Sequence, residues 1–292
     1  MSDKVFKRVK LLIISLVCIL VIFSAVLWLY DDAVQPTDTS GDFITFLDVG
    51  QGDSALIKSG EYAALIDTGT ASSGMNIVKK LRTVGVNDLD VLILTHPHDD
   101  HIGSAEFILS EIPVDYIILS DVLPRDDENA RCYKDIKDYA VSNNINCYNA
   151  TEGLVINIGN FELTVLMSDE TAEDENNTSI IIMAENSGKK FLFTGDAETS
   201  AEAKLIADGV NFDCDVLKVG HHGSNTSSSK KFLQIASPQF SIISCGKNNS
   251  YSHPHDEVLN RLKQTGTAIL RTDLSGDITF KIQNGEIVYS TN

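Results

Sequence analysis

Basic residues are scarce in this chain: 23 Lys and Arg face 41 Asp and Glu, a formal charge of −18 over 292 residues. Proteins that hold long nucleic acids usually present a basic face that displaces counterions from phosphate. The imbalance counts against a long polyanion held by charge alone, while leaving room for a short phosphodiester. Cysteine is also sparse, five in all and none spaced Cys-x-x-Cys, which removes a cysteine-based zinc knuckle. Cys132 and Cys147 could bridge a local excursion, whereas Cys214 and Cys245 flank strand-like segments as small hydrophobes. No Gly-x-Ser-x-Gly elbow, phosphate-cradling glycine loop or dinucleotide fingerprint is found, so covalent serine hydrolases and nucleotide cofactors are set aside. Neither an internal repeat nor a long low-complexity segment interrupts the sequence.

One long hydrophobic run stands out. Residues 11–30 are twenty in a row without a charge, enough for a helix to cross a bilayer. Lys4, Lys7, Arg8 and Lys10 precede it against Asp3 alone. That flank is expected to stay cytoplasmic, with the remainder outside the plasma membrane. A cleaved signal peptide would have a shorter apolar region and a small-residue cleavage site, which Val26-Leu27-Trp28-Leu29-Tyr30 does not offer. The expected organisation is a basic tail over 1–10, a single-pass anchor over 11–30, a stalk over 31–41 and one folded domain over 42–292.

Chemistry concentrates in Thr95-His96-Pro97-His98-Asp99-Asp100-His101, directly after the apolar strand-like block Val91-Leu92-Ile93-Leu94. Imidazole and carboxylate are the nitrogen and oxygen donors that zinc and its neighbours prefer. From the end of a strand, His96 and His98 can project to one side while Asp100 and His101 serve a second point about 3.5–4 Å away, as in a two-metal site. Asp196, in Phe193-Thr194-Gly195-Asp196, emerges from another strand end, and a carboxylate there can bridge two cations. His221 and His222 end a third apolar segment. Adjacent imidazoles at a turn exchange directions readily, so sequence leaves the choice of ligand open; His222 is preferred.

The string resembles the His-x-His-x-Asp-His motif of the metallo-β-lactamase superfamily. Phe46 to Ser54, Leu65 to Gly69, Phe193 to Glu198 and Leu217 to Ser224 are similar, in the same order, to the hydrolase-like domain of the ComEC-like competence branch. The resemblance spans about residues 42–290. It implies one or two zinc ions, or Mn²⁺, held by His96, His98, Asp100, His101, Asp196 and His222, with Asp67 orienting ligands from behind. It also implies a water-based hydrolysis in which Asp100, His221 and His253 are catalytic. The chain departs from the wider family in one respect: no histidine lies between His101 and Asp196. Asn177, Thr178 and Ser179 occupy the missing ligand's place, so the first site is expected to be ligand-poor. Asn177, Ser179, Ser224 and Arg271 are the expected substrate contacts. His253 is expected to touch substrate or protonate a leaving group, against the plainer reading of an exposed loop residue. Arg271 is expected to clamp phosphate, against an ordinary surface pair.

Short strands and helices alternate along 43–289, with a β-rich block in each half. This predicts an α/β fold, an αββα sandwich preceded by one transmembrane helix. The acidic loops over 121–128 and 168–175 read as solvated edges. The expected substrate is a phosphodiester, DNA or a cell-wall polymer, with oligomeric state open. A phosphorylcholine-type esterase is the enzymatic alternative, and a metal-stabilised binding module without turnover is the alternative of another class.

Overall fold

A computed structural model describes residues 41–292 apart from 121 and 123. The anchor and stalk expected over 11–41 lie outside the described residues, save position 41. Among the described residues, no helix is long and apolar enough to cross a membrane.

Among the described residues, fifteen strands build two mixed sheets. The first contains β1 (Phe43–Phe46), β2 (Ala55–Ser59), β3 (Tyr62–Ile66), β4 (Leu89–Leu94), β5 (Val114–Leu119), β6 (Asn146–Asn149), β14 (Ile278–Gln283) and β15 (Glu286–Thr291), ordered β15-β14-β1-β2-β3-β4-β5-β6. The second contains β7 (Val155–Ile158), β8 (Phe161–Met167), β9 (Ile181–Asn186), β10 (Lys189–Phe193), β11 (Val216–Lys218), β12 (Phe240–Ile243) and β13 (Ala268–Arg271), ordered β13-β12-β11-β10-β9-β8-β7. Each sheet is antiparallel at one end and parallel at the other: β3 to β6 pair in parallel, as do β10 to β13.

Strand periodicity explains the layering. Successive side chains point to opposite faces, so Ile44 and Phe46 enter the core between the sheets while Phe43 and Leu47 face outward. The inner layer is aromatic, with Phe46 stacked on Phe193 at 5.6 Å and Phe280 edge-on at 6.0 Å. Helices α1 (Gly74–Thr83), α3 (Ala105–Glu111) and α4 (Asp127–Ser142) cover the first sheet, through Ile77, Leu81, Ile108 and Ile136. Helices α5 (Thr199–Ala207), α6 (Lys230–Ala236) and α7 (Asp256–Thr265) cover the second, through Leu205, Phe232 and Leu262. The result is the αββα sandwich. Two short helices, α2 (Asp99–Ile102) and α8 (Thr272–Ser275), follow strands at the same rim.

Strand β6 closes one edge of the first sheet. Asn146-Cys147-Tyr148-Asn149 is a polar, mostly exposed edge strand, and its register comes from parallel pairing with β5. Hydrophobic patterning carries no signal there. Cys147, Cys214 and Cys245 are free thiols, so no bridge joins Cys132 to Cys147, and burial pushes Cys245 up to about 12.

Candidate metal centre

The parallel halves of the two sheets bring several strand ends to one rim. Asp67 follows β3, His96 follows β4, Asp196 follows β10, and His222 follows β11. Loops beyond the carboxyl ends of parallel strands are where open α/β sheets carry their ligands. Irregular backbone aims these residues inward. Asp67 has φ 59°, and His221 and His222 have φ 49° and 52°, a left-handed region that costs non-glycine residues about 1–3 kcal/mol each. The 3-10 turn Gly220–Gly223 is held by Ser227 Oγ donating to Gly220 O at 2.6 Å and by His221 N donating to Gly195 O at 3.2 Å. Gly223 is required here: its φ is 81°, and a Cβ would lie 2.6 Å from Pro254. That contact seats the His253-Pro254 loop on the histidine turn.

Asp100, His101, Asp196 and His222 converge, one ligand atom from each lying within 4.8 Å of the others. Asp196 is the centre of the group. Its Oδ1 lies 3.2 Å from His101 Nε2, and its Oδ2 lies 3.4 Å from His222 Nε2. Asp100 Oδ2 is 3.1 Å from the same His222 Nε2. Two donors that share one ion at ~2.1 Å each, with an angle of ~90–110° between them, sit roughly 3.0–3.4 Å apart. All three separations fall in or at the edge of that window. Buried His101 Nε2 and Asp196 Oδ1 have no hydrogen-bond partner despite their proximity, which native interiors rarely tolerate unless another species satisfies them. The donor set and the orphaned atoms therefore fit a divalent cation.

Partners behind the imidazoles fix their orientation. Asp67 Oδ2 accepts from His101 Nδ1 at 2.8 Å, and the same carboxylate accepts from Thr95 N and Thr95 Oγ1 at 2.8 and 2.7 Å. His222 Nδ1 donates to Ser244 O at 3.0 Å and lies 3.3 Å from Asp53 Oδ1. Asp53 also pairs with the Lys218 ammonium, both side chains being less than a tenth exposed. Burial opposes charge on Asp53, yet Lys218 and His222 bring its carboxyl down to about 2. Burial likewise opposes charge on His101 and His222. The carboxylates win, with Asp196 and Asp67 holding His101, and Asp196 and Asp53 holding His222, well above the usual imidazole range. The same histidines keep Asp196 well below the usual carboxylate range despite its burial.

Gly52 locks the loop after β1 onto this group. Its φ is 140°, a Cβ would come within 2.4 Å of Asp100 O, and the next residue's amide, Asp53 N, donates to that oxygen at 3.0 Å. Gly52→Ala is expected to destabilise the fold by about 1–3 kcal/mol, the usual range for such strain, and to weaken ion binding at Asp100. Urea unfolding and metal titration of the variant check both effects.

Other expected site residues fall in different places. His96 is 1% exposed, with its Nε2 unpartnered and its ring 4.6 Å from that of His98. His98 Nε2 faces Glu175 Oε2 at 3.2 Å. His221 stands outside the convergent group, its Nδ1 3.1 Å from Glu198 Oε1 and its Nε2 3.7 Å from Asp196 Oδ2. His253 packs 5.5 Å from His221 and 6.2 Å from His222, ring to ring. Burial and then the charges of His222, His221 and His255 push His253 down to about 4. These influences oppose the protonated form and favour the neutral imidazole, able to hydrogen-bond at this edge. Ser224 Oγ is engaged with Thr226 Oγ1 at 3.0 Å. Asn177 Oδ1 accepts from Glu198 N and Ala201 N at the start of α5, and Ser179 Oγ accepts from Asp196 N at 3.0 Å. Both therefore shape the Asp196 turn. Arg271 donates both arms of its guanidinium to Asp273, at 2.9 and 2.7 Å. Glu175, Glu198, Asp53 and Lys218 also serve the site, without a signal of their own in the sequence. Asp53, Glu198 and Lys218 lie within the quoted motifs, but only the fold reveals that their side chains back the histidines.

The model of the metallo-beta-lactamase superfamily matches residues 47–247. The chain belongs to that superfamily. Within it, the chain is 31% identical over 271 residues to ComE operon protein 3 of Bacillus subtilis, covering 86% of this chain and 34% of that protein. It is 35% identical over 247 residues to competence protein ComA of Neisseria gonorrhoeae, covering 84% and 33% respectively. The chain thus spans about a third of the length of these curated relatives. Among solved structures, the metallo-beta-lactamase fold protein YhfI from Bacillus subtilis superimposes with a TM-score of 0.53 at 15% identity, over 85% of this chain and 100% of that one. That likeness concerns the fold. The superfamily and the Asp100, His101, Asp196 and His222 cluster together indicate a metal-dependent hydrolase.

Proposed function

We propose that the chain is a membrane-anchored extracellular phosphodiesterase whose metal centre is built on Asp196, with zinc or manganese as the ion. The observation carrying the reading is the convergence of Asp100, His101, Asp196 and His222 at ion-sharing distances. A divalent ion bound there would supply positive charge for a phosphoryl oxygen and would acidify a water molecule toward neutrality. His221 then has the geometry of a proton carrier. It is partly exposed, Glu198 orients its Nδ1, and its Nε2 faces the Asp196 side of the cluster. Neutral His253 offers a hydrogen bond to substrate at the same edge. Asp67 and Asp53 keep the two metal-facing imidazoles in place.

The uncharged run at 11–30 behind a basic flank supports anchoring with the domain outside. Similarity to competence proteins supports DNA as a substrate, whereas the strong acidic balance favours short or cell-wall phosphodiesters, the second reading. Cleavage of bis-p-nitrophenyl phosphate by the full chain in detergent tests the activity. His221→Gln is expected to lower kcat by about 10²–10⁴-fold, the usual worth of a general acid or base, with metal content unchanged. Absence of turnover on any phosphodiester, with metal bound, would favour the binding module. Comparing single-stranded DNA with teichoic-acid fragments separates the two substrate classes.

A further inference from the structure

We propose that Tyr251 is the substrate-selecting residue of this site, a ring platform on which a nucleobase beside the scissile phosphate stacks. The inference rests on the phosphodiesterase reading and narrows its substrate. Tyr251 is the last of three successive rings that lead from the metal centre to solvent. His253 stacks on His222 with centroids 6.2 Å apart and planes 30° from parallel, and Tyr251 stacks on His253 at 5.6 Å and 22°. His222, at the inner end, is 1% exposed, whereas Tyr251 is 62% exposed. The series therefore ends in a ring open to solvent. Every nucleobase has a π-face that can extend such a series, whatever its identity. A quaternary ammonium is held differently, by rings arranged as a cage around the cation; rings this close to parallel present a flat face and suit a planar group.

The loop that carries the ring is pinned in advance. Asn249 Oδ1 accepts from Tyr251 N at 3.2 Å and from His253 N at 2.9 Å, while Asn249 Nδ2 donates to Gly246 O and His253 O at 2.9 and 2.6 Å. Gly246 seats this loop on the one after β1. Its N donates to Gln51 Oε1 at 3.1 Å, and a Cβ there would lie 2.8 Å from Gln51 N. A binding group fixed before the ligand arrives loses less freedom on binding. Where the two loops meet, a cavity of about 560 Å³ is lined by residues that include Asp48, Gln51, Asn76, Lys247 and Asn249. Its size is that of a small-molecule site, and its lining carries both donors and acceptors, as the edge of a base requires.

Isothermal titration calorimetry of the full chain in detergent with Mn²⁺, using thymidine 5′-monophosphate and 2-deoxyribose 5-phosphate as probes, tests the assignment, because only the first carries a base. Wild type is expected to bind the nucleotide about 5–150-fold more tightly, the effect of one base stacked on an aromatic ring. Tyr251→Ala is expected to erase that preference with metal content unchanged, and Tyr251→Trp to retain it. Equal affinity for the two probes in wild type would overturn the assignment, as would a preference that survives in Tyr251→Ala or no binding of the nucleotide at all. Tighter binding of phosphorylcholine than of the nucleotide, lost in Tyr251→Ala, would also overturn it by giving the ring to a cationic headgroup. Because binding is the readout, a base preference that depends on Tyr251, found together with no turnover of any phosphodiester, would refute the phosphodiesterase reading and leave the base platform standing.

Discussion

Asp196→Asn is expected to remove the ion at the Asp100 cluster and to destabilise the chelator-treated protein by about 3–5 kcal/mol, the range for breaking a buried charge pair by deleting one partner. Among the described residues, Asp196 is the one carboxylate that lies against His101, His222 and His221 together, at 3.2, 3.4 and 3.7 Å. It is 2% exposed, so water cannot take over its charge. The pH dependence has a definite sign. His101 and His222 are raised above their ordinary value of 6.5. The stability this contributes is fully present below 6.5 and is lost as pH rises through the raised folded values. With the carboxylate gone, the penalty is therefore largest at pH 6 and shrinks at higher pH. Urea unfolding of wild type and variant, with chelator, at a series of pH values reads this directly. A penalty independent of pH would mean that Asp196 supports the turn without balancing the histidines.

Lys218→Met is expected to cost about 3–5 kcal/mol as well, although Lys218 touches no expected ligand directly. Its ammonium is the cation paired with Asp53, and it donates to Val219 O at 3.0 Å. Removing it leaves a buried carboxylate, 5% exposed, without its cation, and a buried charge deprived of its partner costs far more than a surface pair contributes. Asp53 in turn lies 3.3 Å from His222 Nδ1, so the loss should reach the metal centre and weaken ion binding at His222. The double variant Asp53→Leu, Lys218→Met removes both charges and is expected to be more stable than Lys218→Met alone, while still binding the ion less tightly than wild type. Denaturant unfolding of the singles and the double gives the coupling. Additive losses would show that the pair is not the source of the effect.

Much of this architecture is legible in the sequence because hydrophobic periodicity and motif order reinforce each other. Ile44 and Phe46 alternate with Phe43 and Leu47 as a two-sided buried strand requires, and Gly188 marks the β9–β10 hairpin, where Ser187 and Gly188 take φ 52° and 74°. The histidine string, Asp196 and the paired histidines each end an apolar strand, which is legible in sequence, while their meeting at one rim is seen only in the fold. Edge strand β6 is not legible, since its parallel partner β5, rather than its own polar pattern, defines it. Glu175 was hidden for another reason. It closes an acidic loop that reads as solvated, and only the packing of that loop against Arg125 and His98 encloses it. Asn177, Ser179 and Arg271 show the converse, polar groups at suggestive positions whose hydrogen bonds are consumed within the protein.

Anomalous diffraction from crystals of the manganese- or zinc-loaded protein, collected on either side of the metal absorption edge, tests the central claim most directly. The account predicts a strong peak at about 2.0–2.2 Å from His101 Nε2, His222 Nε2 and the carboxylate oxygens of Asp100 and Asp196. No peak among these four side chains at saturating metal, in crystals whose fold is intact, would contradict it.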